Sequence, residues 1–516
     1  MKVIDCISYT HIKSTPPEGV EGELVYVGQG GLEDYKGKSV RNKITLAELS
    51  YSPPRPWKNY LAGINGAAGQ IQINWAGEGR RVFGRGTVKS VWGNPTPETI
   101  DDVGRIPVVG IMSDDGAYLK KLLQKGPVRV WLKAEAPREW MRSRQPIAAI
   151  KGTDPSFVLL GSHLDAWGGA VTCNATGCSS TLEVARVLNK NRQLLRRSIR
   201  FAWFQGHENG IMSGSTWYVD NFWEDLSRNC VAYFNNDSVG MVYQHVYMCG
   251  GDPILIDFLK SVISDLAEEE GASTQFPVAK YHPVKTGDQS FYGVGIPSCN
   301  ARTTYTKEAG EKGISGLGWW YHSDQDTIDK ADPEALHMAN KAMTLVLLRL
   351  CTIPVLPYKV GQMSQWMLDT LDELNEKAKG SIDISSLVSK TRAFSEVATD
   401  LDTKIATLTK VWQSMESARG IVEETEAVNR AVVEICRVLS PINYTLKGRY
   451  DQDYYGAEYV RPMPVLQPVS ELAPLNPDTG GYKALKTKLV RAKNMVSDAI
   501  DKATSIAAAA LERPGT

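Results

Sequence analysis

GSHLDAWGGAVTCNATG, residues 161–177, together with FQGHENG at 204–210, decides how this chain is read. His163 closes the apolar run SFVLLGSH (156–163), a buried-type strand, and His207 and Glu208 follow a second such run, SIRFAWFQG (198–206). A third, CVAYFNND (230–237), ends on Asp237. Helical stretches lie between them, STLEVARVLNKN (180–191) and a segment around 213–225. Strands alternating with helices predict a mostly parallel sheet covered on both faces. In such sheets the chemistry sits at the carboxyl ends of the strands, where His163, Asp165, His207, Glu208 and Asp237 fall.

Imidazole, thiolate and carboxylate are the groups that bind divalent transition metals, and Cys173 and His322 (in YHSDQDT, 321–327) complete the set. A single histidine is ordinarily a hydrogen-bonded core or surface residue. Three of the chain's seven histidines, each close to an acid at a strand end or loop of one α/β unit, point instead to a metal centre. Cys173 is either a ligand or an inert buried thiol, and Cys178, at the start of the following helix, reads as packing.

Working outward, the 516 residues divide into regions of different texture. Residues 1–20 are a short lead, and 21–140 are β-rich, with ELVYVGQG (23–30), QIQINW (70–75), RIPVVGIM (105–112) and PVRVWLKAE (127–135) as strands. The Pro- and Gly-dense SYSPPRPWKN and VWGNPTPET read as loops between them. Residues 141–356 hold the α/β unit, and 357–516 turn helical, with apolar residues at i, i+3 and i+4 in four long stretches.

Lys plus Arg and Asp plus Glu both number 58, so there is no electrostatic case for nucleic acid or an anionic membrane. Eight scattered cysteines without a CxxC pair read as reduced thiols. The N-terminus has no apolar run of signal-peptide length, which makes the cytoplasm the expected compartment.

GSHLDAWGGAVTCNATG resembles the HxD…DNATG signature of the zinc-dependent exopeptidases that include glutamate carboxypeptidase and the transferrin receptor ectodomain. FAWFQGHENGIMSGS, FNNDSVG and YHSDQDT resemble the family's following motifs in order and spacing. The resemblance implies an aminopeptidase-like doubly wound mixed sheet, a protease-associated β-rich insert at 21–140 and a helical, dimerisation-like region at 357–516. It implies one metal on His163 and Asp237 and another on Glu208 and His322, with Asp165 orienting His163.

Two positions depart from the family's pattern. Cys173 stands where the bridging carboxylate is expected, and His207 where the general-base carboxylate is expected. Both replacements are metal-competent, and an imidazole suits proton transfer near neutrality. The expected function is a metal-dependent hydrolase of peptide-like or small amide and lactam bonds, with His207 and Asp165 as catalytic candidates. The metal is one or two ions of zinc, with iron, nickel or cobalt as alternatives. A non-catalytic scaffold and a non-hydrolytic metal enzyme are the competing readings.

Tyr321, Arg302, Arg449 and Tyr450 are candidates for substrate contact, and GDQSFYGVGIP (287–297) gives Asp288 a supporting role. Expected partners are a small-molecule or peptide substrate, a second copy through the C-terminal helices, and a separate subunit in place of the family's longer N-terminal lead.

Overall fold

Strand β8 (Asp154–His163) sits at the centre of a six-stranded sheet and shows why the molecule is layered. Its side chains alternate between two apolar cores. Val158 and Leu160 enter one, and Phe157 and Leu159 enter the other. A strand apolar on both faces has to be covered on both faces. The computed structural model describes residues 2–77, 79–269, 271, 287, 289–305, 307, 316–414, 419–456 and 462–512; the side chains of 248, 249, 300–302, 419 and 420 lie outside that description.

The sheet runs β11-β12-β10-β8-β9-β7. Its members are β7 (Ile147–Ile150), β9 (Arg197–Phe204), β10 (Cys230–Asn236), β11 (Val246–Gly251) and β12 (Ser298–Thr304). Strands β9, β8, β10 and β12 are parallel, while β7 and β11 close the two edges antiparallel. The mixed sheet expected from the strand–helix alternation is therefore present, and its three central strands fall within a residue or two of their sequence bounds. The helical segment expected around 213–225 is two helices, Ser213–Asn221 and Trp223–Asn229, broken at Phe222.

Residues 6–132 form a second six-stranded sheet, β1-β5-β4-β3-β2-β6. It comprises β1 (Cys6–Ser8), β2 (Val20–Tyr26), β3 (Ile44–Glu48), β4 (Gly69–Ile73), β5 (Val108–Ile111) and β6 (Arg129–Leu132), with its own apolar core. One expectation fails here. SYSPPRPWKN is not all loop, because helix α1 (Arg55–Ile64) begins inside it. Pro54 occupies the cap and Pro56 the first turn, where the amide proton that proline lacks would have had no helical acceptor.

The C-terminal region is helical as its periodicity predicts. Val360–Ala378, Ser385–Gln413, Arg419–Tyr444 and Gly480–Glu512 are its long helices. They share one continuous apolar core with the helix Pro333–Thr352 and one face of the central sheet. Arg437 fastens this region to the sheet. Buried between them, its guanidinium donates to the carbonyls of Ser227 (2.9 Å), Gly295 (2.6 Å) and Leu226 (3.3 Å), and to that of Cys230. No helix among the described residues is long and apolar enough to cross a membrane.

Removing the guanidinium strands those carbonyls in a dry interface. Arg437→Met is expected to cost about 3 kcal/mol or more. The measurement is urea denaturation followed by tryptophan fluorescence, and an unchanged midpoint would contradict this account of the interface.

Candidate metal centre

Parallel register places the donors. In the pairing of β8 with β9, His163 stands opposite Phe204, so the loop after β9 starts level with the end of β8. In the pairing of β8 with β10, Gly161 stands opposite Asn235, which brings Asp237 to the same edge. Between β8 and the helix Thr176–Lys190 the chain makes an irregular turn, Val171–Ala175, that delivers Cys173.

The six donors converge. His163 Nε2 lies 3.2 Å from Asp237 Oδ1, and His322 Nε2 lies 2.8 Å from Glu208 Oε1. Cys173 Sγ sits among them, 3.3 Å from Glu208 Oε1, 3.6 Å from His163 Nε2 and 3.8 Å from His322 Nε2. Two three-donor groups therefore share the sulfur: His163, Cys173 and Asp237, and Cys173, Glu208 and His322. His207 stacks on His163 with ring centroids 4.1 Å apart, and its Nε2 is 4.0 Å from Asp237 Oδ2. His163, His207 and Glu208 form a third such group.

Imidazole nitrogens, a sulfur and carboxylate oxygens, mostly buried and within 4.8 Å of one another in each group, fit a divalent transition metal. His163 offers Nε2 because its Nδ1 is engaged by the backbone carbonyl of Asp165 at 2.8 Å. A proton held on Nδ1 leaves the Nε2 lone pair facing the cluster. Electrostatics match a site built for positive charge. Burial alone would lower the pKa of His163, but Asp237, helped by Glu208 and Asp165, raises it to about 9. Burial works the other way on Glu208, yet His322, with His207 and His163, holds its carboxyl well below the usual range. Burial, reinforced by Glu208 and Asp237, pushes the Cys173 thiol far up, and burial with His163 pushes His207 down.

Asp165 differs from its expected role. Its carboxylate does not reach the His163 ring. It accepts instead from the backbone amides of His207 (2.9 Å), Glu208 (2.9 Å) and Asn209 (3.2 Å), so it shapes the loop that carries two donors. Consecutive amides pointing one way form a concave donor surface that a carboxylate fills, and the ring is left to the carbonyl of the same residue.

Further supports had gone unnoticed in the sequence. The Asp326 carboxylate accepts from the amides of Thr172 (2.9 Å) and Cys173 (3.2 Å), fixing the turn that holds the sulfur. Trp167 Nε1 donates to Glu208 Oε2 at 2.9 Å. Asn174 shapes the loop, donating to Ser162 Oγ (3.0 Å) and accepting from the Ser238 amide (3.1 Å). Gly177 is required beside it, since a Cβ there would come within 2.1 Å of Asn174 Oδ1. Asp326 carries a faint signal in its position inside YHSDQDT; Trp167 carries none. Cys178 is a packing residue whose thiol meets the His163 carbonyl.

A cleft of about 100 Å³ opens beside the cluster. His207, Glu208 and His322 line it together with Tyr321, Ile211 and Met212. The β-rich unit contributes Tyr51, Arg55 and Trp75, and the C-terminal region contributes Tyr455. Tyr321 is thus where a substrate residue should be, stacked on His322 at 3.7 Å and facing Trp75 at 5.7 Å. Arg449 and Tyr450 are not. Their charged and aromatic groups pack against Trp223, and Tyr450 is largely exposed. The buried Asp453 carboxylate accepts from the amides of Leu446 and Lys447, both at 3.0 Å, and turns the loop so that Tyr455 points inward. Asp288 and the Arg302 side chain lie outside the described residues.

Donor groups sharing one sulfur lie at the carboxyl edge of an α/β sheet of the aminopeptidase-like fold, an arrangement that could hold a divalent metal. Residues 146–347 match the model of peptidase family M28. It is 31% identical to leucine aminopeptidase 2 of Trichophyton equinum over 142 residues, 27% of this chain and 28% of that protein. A probable glutamate carboxypeptidase of Arabidopsis thaliana is 24% identical over 453 residues, 74% of this chain and 62% of that one. The chain thus spans less than half the length of the fungal aminopeptidases it matches. Among solved structures, a peptidase M28 precursor from Shewanella amazonensis superposes with a TM-score of 0.52 at 20% identity, covering 67% of this chain and 77% of that one. A zinc aminopeptidase from Bacillus subtilis gives 0.50 at 23% identity, with 67% and 79% covered. These two likenesses concern the fold.

Because Asp165 positions the donor loop, Asp165→Ala is expected to weaken metal binding by about 10- to 100-fold while leaving the fold intact. Competition with a chromophoric chelator measures the affinity, and circular dichroism checks the fold. An unchanged affinity would remove Asp165 from the site.

Proposed function

We propose that this protein is a metal-dependent hydrolase of peptide or closely related amide bonds, with Cys173 in the bridging position and His207 as the proton acceptor. The observation that carries this reading is the placement of Cys173 Sγ in both donor groups at once. A carboxylate bridges two ions through two oxygens, whereas a thiolate does so through one sulfur, and a shared sulfur is what the geometry offers. A thiolate among imidazoles favours zinc, with iron, nickel and cobalt as alternatives, over magnesium or manganese. Bound there, a divalent ion supplies Lewis acidity, making water easier to deprotonate and stabilising charge that develops on a carbonyl oxygen.

The chain's own groups supply the rest. His207 lines the cleft while its backbone is clamped by Asp165, so its imidazole faces whatever enters. Its lowered pKa keeps the ring neutral and able to take a proton near neutrality. Tyr51, Trp75 and Tyr321 give the cleft an aromatic wall, with Tyr51 and Trp75 stacked 5.1 Å apart, suited to an apolar or planar portion of the substrate. The match of residues 146–347 to the M28 model and the aminopeptidase and carboxypeptidase relatives support hydrolysis of peptide bonds. The contribution of the β-rich unit to the cleft supports reading it as the family's protease-associated insert. The free cysteines fit a reducing compartment such as the cytoplasm.

Elemental analysis of the purified protein tests the metal assignment. Cys173→Ala is expected to lose metal and activity together, while Cys173→Asp retains metal. Full metal retention in Cys173→Ala would show that the sulfur is not a ligand. His207→Gln is expected to keep its metal and lose about 10²- to 10⁴-fold in kcat. Loss of metal in that variant would make His207 a ligand instead of a base.

A further inference from the structure

Residues 85–93 of the β-rich unit run across both loops that carry the Glu208 and His322 donors. The Arg85 amide donates to the His322 carbonyl at 2.7 Å, and the Gly93 amide donates to the Ile211 carbonyl at 2.8 Å. Lys89 Nζ donates to the carbonyl of Gly210, two residues after Glu208, and to that of Gly93. Trp92 packs with Ile211 and Met212 in a small buried cluster. Arg85 adds a side-chain bond, from Nη2 to Asp324 Oδ2 at 2.7 Å.

Both loops adopt a backbone conformation that they would not keep alone. Ile211 (φ 46°), Met212 (φ 58°) and His322 (φ 60°) are all left-handed. That region is uncommon for any residue with a Cβ and least favourable for a β-branched one, so it persists only where neighbours hold it. Here the neighbours include the amides of Arg85 and Gly93, bonded to the carbonyls of two of the three strained residues. Lys89 is buried, its pKa is brought down to about 7 by that burial, and it pairs with no acid among the described residues. A buried amine is costly unless its N–H groups are satisfied, and those of Lys89 join the donor loop to the segment that crosses it. The charged and neutral amine both have donors enough for two carbonyls. The other donor pair is secured within the α/β unit: His163 by the Asp165 carbonyl at 2.8 Å, and Asp237 by the Ser238 hydroxyl at 3.1 Å.

We propose that residues 85–93 are a strap through which the β-rich unit sets one metal position, that of Cys173, Glu208 and His322, with Lys89 as its positioning residue. The inference rests on the metal assignment of the proposed function and goes beyond it. An element outside the α/β sheet governs the affinity of one donor group and leaves the group of His163, Cys173 and Asp237 alone. Lys89 acts through the Gly210 carbonyl and touches neither metal nor substrate.

A double-mutant cycle on the zinc affinity of the metal-free protein, measured by competition with a chromophoric chelator, tests this. Lys89→Met keeps the length of the side chain and removes its donors. In an Asp237→Asn background, where the Glu208 group remains, it is expected to weaken zinc binding by about 10- to 100-fold. In a Glu208→Gln background the same change is expected to alter affinity by less than about twofold. Equal weakening in both backgrounds would overturn the proposal by making Lys89 a support of the whole centre, and so would no weakening in either. Amide hydrogen exchange on the same proteins needs no metal. Amides 209–212 are expected to exchange about 10-fold faster in Lys89→Met, while those of β8 and β10 keep their wild-type rates. Uniform acceleration would show a general loss of fold and overturn the positioning role, as would unchanged rates at 209–212. A wild type that takes up no zinc yet shows the loop-specific change keeps the strap and loses the metal reading. Zinc uptake that is indifferent to Lys89→Met, with unchanged exchange, does the reverse.

Discussion

Parallel pairing of β8 with β9 and β10 is the constraint on which everything else depends. Parallel strands end on the same side, so one edge of the sheet receives the last residue of each and the loop that follows. A slip of one residue in β8 would turn His163 to the other face and exchange the contents of the two apolar cores. The register is held by those cores, in which Val158 and Leu160 face one layer and Phe157 and Leu159 the other. Hydrophobic burial that stabilises the sheet thus also sets the level at which the metal donors meet.

A second tier of interactions converts that level into a site. Asp165 and Asp326 each direct a carboxylate at backbone amides. One gathers the loop of His207 and Glu208, the other the turn of Cys173. Charged acceptors make strong bonds to amides in buried surroundings, and the loops they organise would otherwise have many conformations. The Cys173 thiol depends on this support. Burial and nearby carboxylates hold it in the neutral form, so in the protein alone it is a poor nucleophile despite its setting.

Much of the framework was legible in the sequence because it rests on short-range signals. The central strands are continuous apolar runs, the C-terminal helices repeat at helical spacing, and His163, Cys173, Glu208, Asp237 and His322 are residue types with few reasons to collect at strand ends. What escaped notice depends on contacts distant in sequence. The side chain of Asp165 was assigned to an imidazole two residues away, and it serves a loop some forty residues on. Arg449 and Tyr450 attracted attention by their chemistry, but Asp453 turns the loop and presents Tyr455 instead. Arg55 lay in a Pro-rich stretch read as loop, and its place in the cleft wall is visible only in three dimensions.

The cleft also has a history in time. Its walls come from residues near 51–75, from 207–212, from 321–322 and from Tyr455, so each wall closes only after long stretches of chain have folded between them. Contacts of such sequence separation form late, since loop-closure entropy opposes them until the rest is in place. Strands β8, β9 and β10 and five of the six donors lie within residues 154–237, whereas His322 arrives with the cleft's own walls. Loop-closure entropy thus makes ligand recognition a late property of folding, and a nascent or clipped chain holding only the central strands has an incomplete donor set and nowhere to seat a substrate.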